Sequence, residues 1–200
     1  MTQIIAITGG IGSGKSTLCG ELKEKGFKVH SSDEQVAKIY NNPDKNFVFY
    51  LNIIGLSKAI KKKNIDKKII SKIIFENKHI RKKLELYIFK IVRNKRSDFI
   101  RQEKQKRTRL IFIDIPLLFE NNIHSKFHKV ISIIASKQIR LKRLKKTRKM
   151  TERQFKNILR SQTSDIIRKK KSNYVIYNNT TLNDYKIKIN KLINKLQLKQ

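Results

Sequence analysis

The chain has 200 residues, with 48 Lys plus Arg against 15 Asp plus Glu, for a formal net charge of +33. No apolar run approaches the ~18 residues that span a bilayer. The first residues lack the basic start of a secretory signal, and a lone cysteine, Cys19, excludes a disulfide framework or a multi-cysteine zinc site. A globular protein of one core domain with insertions is expected, in the cytoplasm and without a membrane partner.

The charge first reads as affinity for nucleic acid, since a basic excess attracts phosphate backbones. The composition points elsewhere. Lys (36), Ile (32) and Asn (16) dominate, while Arg numbers 12. Those three share A/T-rich codons, so the excess reads as a coding bias on solvated faces, and no specific nucleic-acid partner is expected.

In chain order, residues 3–8 form an apolar run leading into glycine, as a buried parallel strand does. Residues 15–25 read as a helix closed at Gly26, and 27–30 as a second strand, which together make a βαβ unit. From 36 to 105 apolar residues recur at helical spacing, as in Ile80, Leu84, Tyr87, Ile88, Ile91 and Val92. Residues 110–115 and 130–135 return to strand character. Residues 137–170 are helical and very basic. A short strand at 174–177 precedes an amphipathic helix carrying Leu182, Tyr185, Ile189, Leu192 and Leu196. Five strands alternating with helices predict an α/β fold, a five-stranded parallel sheet flanked by helices, with ligands bound beyond the carboxyl ends of the strands. The expected division is a core of 1–35, 106–136 and 172–200, a helical acceptor-substrate domain at 36–105, and a basic helical lid at 137–171.

Four of the seven glycines fall at Gly9, Gly10, Gly12 and Gly14, followed by Lys15 and Ser16. This is G-x-x-x-x-G-K-[ST], between a strand and a helix. Glycines let successive N–H groups turn inward, and with the helix N-terminus they form an anion nest. Gly10, Gly12, Ser13, Gly14, Lys15, Ser16 and Thr17 are the candidate nucleotide-binding residues. Lys15 follows the β- and γ-phosphates, and the Ser16 hydroxyl is a candidate Mg²⁺ ligand. The motif alone does not separate kinases from GTPases, helicases or motors.

Further segments carry a resemblance. Thr8 to Thr17, Gly26, Asp33, the run Ile115-Pro-Leu-Leu-Phe-Glu120, Gln162, and Ser172-Asn-Tyr-Val-Ile-Tyr-Asn178-Asn179 follow one another as in dephospho-CoA kinases. The chain is similar to that family over essentially its whole length. The resemblance implies a P-loop kinase that moves the γ-phosphoryl group of ATP to the ribose 3′-hydroxyl of dephospho-CoA, with Mg²⁺ required. ATP and dephospho-CoA are then the small-molecule partners, and the protein is expected as a monomer or weak homo-oligomer. Alternatives are another small-molecule or nucleoside monophosphate kinase of the same fold, or a nucleic-acid-binding P-loop NTPase.

Asp33, just past the second strand, is the candidate base for the acceptor hydroxyl, against an N-cap role in Ser31-Ser-Asp-Glu. Asp114 ends an apolar strand in the form of a Walker-B acid, a candidate Mg²⁺ holder. Glu120 matches the family glutamate, with a helix start as its alternative. Arg140, Arg143 and Arg148 resemble the family's lid arginines, and Arg143 and Arg148 are taken with Lys15 as catalytic candidates. Asn178 resembles the residue near the adenine, against an ordinary turn asparagine. Three departures stand out. Ser31 replaces a second acid, Phe89-Lys90 replaces a His-Pro pair, and the acid after the lid arginine is absent. Cys19 reads as a buried small residue, and His30, His79, His124 and His128 form no ligand set.

Overall fold

The computed structural model describes residues 1–61 and 64–198; positions 62–63 of the helical insertion and 199–200 of the core lie outside the described residues. In chain order the elements are β1 (Gln3–Gly9), α1 (Lys15–Glu24), β2 (Lys28–Ser31), α2 (Ser32–Asn41), α3 (Lys45–Ile53), β3 (Ile60–Lys61), β4 (Asn64–Ile65), α4 (Lys67–Glu76) and α5 (Lys78–Gln105). They continue with β5 (Leu110–Asp114), β6 (Lys129–Ile134), α6 (Lys137–Arg148), α7 (Glu152–Arg160), α8 (Asp165–Lys171), β7 (Tyr174–Tyr177) and α9 (Leu182–Leu198).

Five strands form one sheet in the order β2-β5-β1-β6-β7. β1 runs parallel to both β5 and β6, and β6 parallel to β7. β1 is central, and its run over residues 4–7 is apolar on both faces because both are covered. One face presents Ile5 and Ile7 of β1, Phe112 of β5, and Ile131 and Ile133 of β6 to α1 and α9. The alternate residues Ile4, Ala6, Ile111, Ile113 and Val130 are buried as well, and α8 packs against β6. The apolar stripe of α9 runs through Tyr185, Ile189, Leu192, Ile193 and Leu196. Leu182, expected in that stripe, is exposed at the first residue of the helix.

The chain divides into two compact units, residues 1–30 with 103–200, and residues 31–102. The basic helices α6 to α8 thus belong to the same unit as the sheet. The second unit has its own core, in which Phe47, Leu51, Leu56, Ile70, Leu84, Ile88 and Val92 meet from α3, α4, α5 and the connecting turns. Among its described residues it is mostly helical, with an antiparallel pair β3 and β4, two residues each, which helical periodicity does not reveal. None of the described helices is long and apolar enough to cross a membrane.

Candidate active site

The glycine loop leaves the carboxyl end of β1 and enters α1 through Gly14, whose φ of 107° lies in the left-handed region that only glycine adopts without strain. The first intrahelical bond is donated by Leu18 N–H to Gly14 O at 3.2 Å. The N–H groups of Lys15, Ser16 and Thr17 therefore have no partner within the helix, and the positive end of its dipole faces the loop.

Two side chains from the C-terminal segment hold this turn from beneath. Asn178 Nδ2 donates to Ser13 O at 2.8 Å, and the Tyr185 hydroxyl donates to Gly14 O at 3.0 Å. A trans peptide points its C=O and its N–H in opposite directions. Fixing the carbonyls of Ser13 and Gly14 thus fixes the N–H groups of Gly14 and Lys15 on the other side, where an anion would sit. Burial pushes the Tyr185 phenol up from its ordinary value, so it stays a donor at neutral pH. Sequence reasoning placed Tyr185 in the core stripe. The one signal available was a tyrosine rather than a phenylalanine at a buried helical position.

Asn178 is 4% exposed, and its other end is also taken, since Oδ1 accepts from Arg143 Nη2 at 3.0 Å. Lys15 Nζ donates to Gly9 O at 3.2 Å, which folds the side chain back over its own loop. Ile11 N–H donates to Gln162 Oε1 at 3.1 Å, so Gln162 ties the loop tip to the turn between α7 and α8. The Ser13 hydroxyl is buried with no hydrogen-bond partner among the described residues. Ser16 is exposed at the helix start, and Thr17 is half-buried beside it.

Asp114 is the last residue of β5 and stands in register with Ile7, two residues before the glycine loop begins. It is buried at the same edge of the sheet as the loop. Three arginines of α6 take different positions. Arg140 is buried, and a Cβ at Gly10 would run into its Nη1. Arg143 is half-buried and bonded to Asn178, whereas Arg148 ends the helix, exposed. Glu120 starts no helix. It lies in a turn, where Oε1 accepts from Thr163 N–H at 2.7 Å and from Arg168 Nη2 at 3.1 Å.

Asp33 is exposed in the first turn of α2, two residues past the end of β2. The N-cap of that helix is Ser31, whose hydroxyl accepts from Glu34 N–H at 3.3 Å. The capping role that Asp33 would otherwise fill is therefore occupied. Cys19 is buried in α1, and His128 is structural, its Nδ1 accepting from Ile4 N–H at 3.0 Å. Among the described residues no group of three or more His, Cys, Asp or Glu converges to hold a metal.

A helix start prepared in this way, with Lys and Ser at its first positions and an acid on the neighbouring strand, defines the nucleotide site of a P-loop protein. The fold is shared with shikimate kinase from Bacteroides thetaiotaomicron, which superposes with a TM-score of 0.54 at 11% identity, over 98% of both chains. The comparison narrows further. The family model for dephospho-CoA kinase matches residues 3–184, and the chain belongs to that family. It is 36% identical over 183 residues to a dephospho-CoA kinase from Fusobacterium nucleatum, covering 91% of this chain and 92% of that protein. The solved structure of dephospho-CoA kinase from Campylobacter jejuni matches with a TM-score of 0.72 and 31% identity, over 98% of each chain.

Proposed function

We propose that this protein transfers the γ-phosphoryl group of ATP to the 3′-hydroxyl of the ribose of dephospho-CoA, giving coenzyme A and ADP. The observation that carries the reading is the family match over residues 3–184, which spans the glycine loop and the Pro116–Glu120 segment. In this reading the N–H groups of Gly10, Gly12 and Gly14 and of the start of α1 cradle the phosphates, with Ser13 between them in the loop, its own N–H held by Gly10 O at 3.1 Å. Lys15 swings from Gly9 O to the β- and γ-oxygens, and Thr17 adds contacts to the inner phosphates. The bond between the acceptor oxygen and the γ-phosphorus forms as the bond to the β,γ-bridging oxygen breaks, and the electron pair leaves with ADP. Asp33 takes the acceptor hydroxyl proton and orients its oxygen for in-line attack. Charge spreads over three oxygens as transfer proceeds, and Arg143 and Arg148 on α6, with Arg140 beside Gly10, are the cations assigned to it.

Mg²⁺ suits the donors present. It takes oxygen ligands and is commonly held by one or two protein groups together with substrate phosphates. Ser16 and Asp114 supply a hydroxyl and a carboxylate at the loop end of the sheet. The ion would neutralise phosphate charge. ATP as co-substrate and a single cysteine, buried in α1, support a cytoplasmic protein. Purified protein supplied with ATP, Mg²⁺ and dephospho-CoA is expected to release ADP at a rate set by the acceptor. Turnover on a nucleoside monophosphate or a shikimate-like alcohol, with none on dephospho-CoA, would overturn the acceptor assignment.

A further inference from the structure

Arg140 is 2% exposed and Arg168 1% exposed, an unusual burial for two cations in one neighbourhood. Asp165 stands between them. Its Oδ2 accepts from Arg140 Nη2 at 3.1 Å and its Oδ1 from Arg168 Nη1 at 3.1 Å. Arg168 Nη2 in turn reaches Glu120 Oε1 at 3.1 Å, which also holds Thr163 N–H. Glu120, Arg168, Asp165 and Arg140 thus form a relay of two anions and two cations that compensates its own charge. Its members come from the turn after β5, from α6 and from α8.

The relay leaves a specific remainder. Nε and Nη1 of Arg140 are buried with no hydrogen-bond partner among the described residues. Nη1 is the atom that a side chain at Gly10 would strike, so it lies against the phosphate loop. Desolvation pulls the Arg140 guanidinium down from its ordinary pKa, Asp165 opposes this, and Arg168 adds to it. Buried ion clusters contribute little net stability, because desolvation offsets their attraction; geometry is what they supply. A guanidinium held by one edge, with its other donors unspent beside an anion nest, is prepared for an anion.

We infer that Asp165 is a positioning residue for polyphosphate binding: by dividing its carboxylate between two buried arginines, it holds the unspent donors of Arg140 against the loop at Gly10. The inference rests on reading that loop as the ATP site. It is tested without the acceptor, by calorimetry of ATP and of inorganic tripolyphosphate with the full chain. Asp165→Asn keeps the shape but removes the charge that Arg140 leans on. It is expected to weaken tripolyphosphate and ATP roughly tenfold, the scale of one charge-assisted hydrogen bond. In steady state the KM for ATP rises while that for the acceptor holds. If Asp165 acts through Arg140, the same change in an Arg140→Met background has no further effect on tripolyphosphate affinity. Should Asp165→Asn fail to fold, Asp165→Glu keeps the charge and shifts the carboxylate by one methylene, and a weaker tripolyphosphate affinity is again expected. A variant that melts earlier but binds tripolyphosphate as the parent does would overturn the inference, as would additive effects in the double variant. Wild-type protein that binds tripolyphosphate yet leaves dephospho-CoA unphosphorylated would contradict the acceptor assignment and not this one.

Discussion

Asn178 gives the sharpest test of how the loop is built. Its amide bridges Ser13 O and Arg143 Nη2 from a buried position, while its own N–H is held by Ile134 O and would stay so in an alanine variant. Asn178→Ala strands one neutral carbonyl and one charged donor. The first costs about 1 kcal/mol and the second about 2 kcal/mol, less what water recovers at half-buried Arg143, so about 2–3 kcal/mol in all. For a chain of this length each kcal/mol moves the melting temperature by ~2–4 °C, giving a fall of about 4–12 °C. The freed Ser13 carbonyl no longer fixes the Gly14 N–H, and one lost phosphate contact is worth roughly tenfold in affinity. Calorimetry and thermal melts of the variant with ATP and GTP read both effects. Affinity for both nucleotides is expected to fall together, because the clamp acts on the phosphates. An unchanged melting temperature with a shift only in the preference for ATP over GTP would refute the clamp and return Asn178 to the adenine.

Lys15→Ala is expected to lose most turnover, a hundredfold or more, while the far-ultraviolet spectrum and melting temperature hold, since among the described residues its side chain makes a single long bond, to Gly9 O at 3.2 Å. Asp33→Asn is expected to cut kcat by roughly 10²–10⁴ with ATP affinity unchanged, measured by coupled turnover and calorimetry; the Ser31 cap leaves helix α2 intact, and unchanged kinetics would remove Asp33 from the chemistry. Tyr185→Phe removes only the bond to Gly14 O; about 1 kcal/mol of stability and a several-fold loss in ATP affinity are expected in melts and calorimetry.

Much of the architecture was legible because it rests on patterns that burial enforces. The apolar runs of β1, β5 and β6 carry charge only at a strand end, Asp114 in β5 and Lys129 in β6, and the spacing of α9 puts Tyr185, Ile189, Leu192 and Leu196 on one face. The glycine loop was legible because Gly14 at positive φ, followed by Lys and Ser, has few other uses. Hydrophobic patterning fails where the chain inverts it. On α8, Ile166 is 80% exposed while Arg168 is buried, and no periodicity argument would choose the arginine for the interior. The relay through Asp165 was hidden for the same reason, inside a run that reads as solvated charge. A faint signal existed, since Asp165 and Glu152 are the only acids between residues 137 and 171. Pairing across 25 residues and 48 residues, as Arg140 with Asp165 and Arg168 with Glu120, is a tertiary property that local spacing does not encode. The same limit applies to Asn178 and Tyr185, which reach the loop from more than 160 residues away.

The net charge of +33 takes its place accordingly. The chemistry is assigned to a loop and a few side chains that require no such excess, and a basic field can still raise encounter rates with anionic substrates.

The most direct test follows the phosphoryl group itself. ATP labelled at the γ-phosphorus, incubated with the purified protein, Mg²⁺ and dephospho-CoA, is expected to deliver its label to the 3′-position of the ribose, with coenzyme A and ADP formed in equal amounts. Label recovered as free phosphate or on another acceptor, with dephospho-CoA unchanged, would contradict the account.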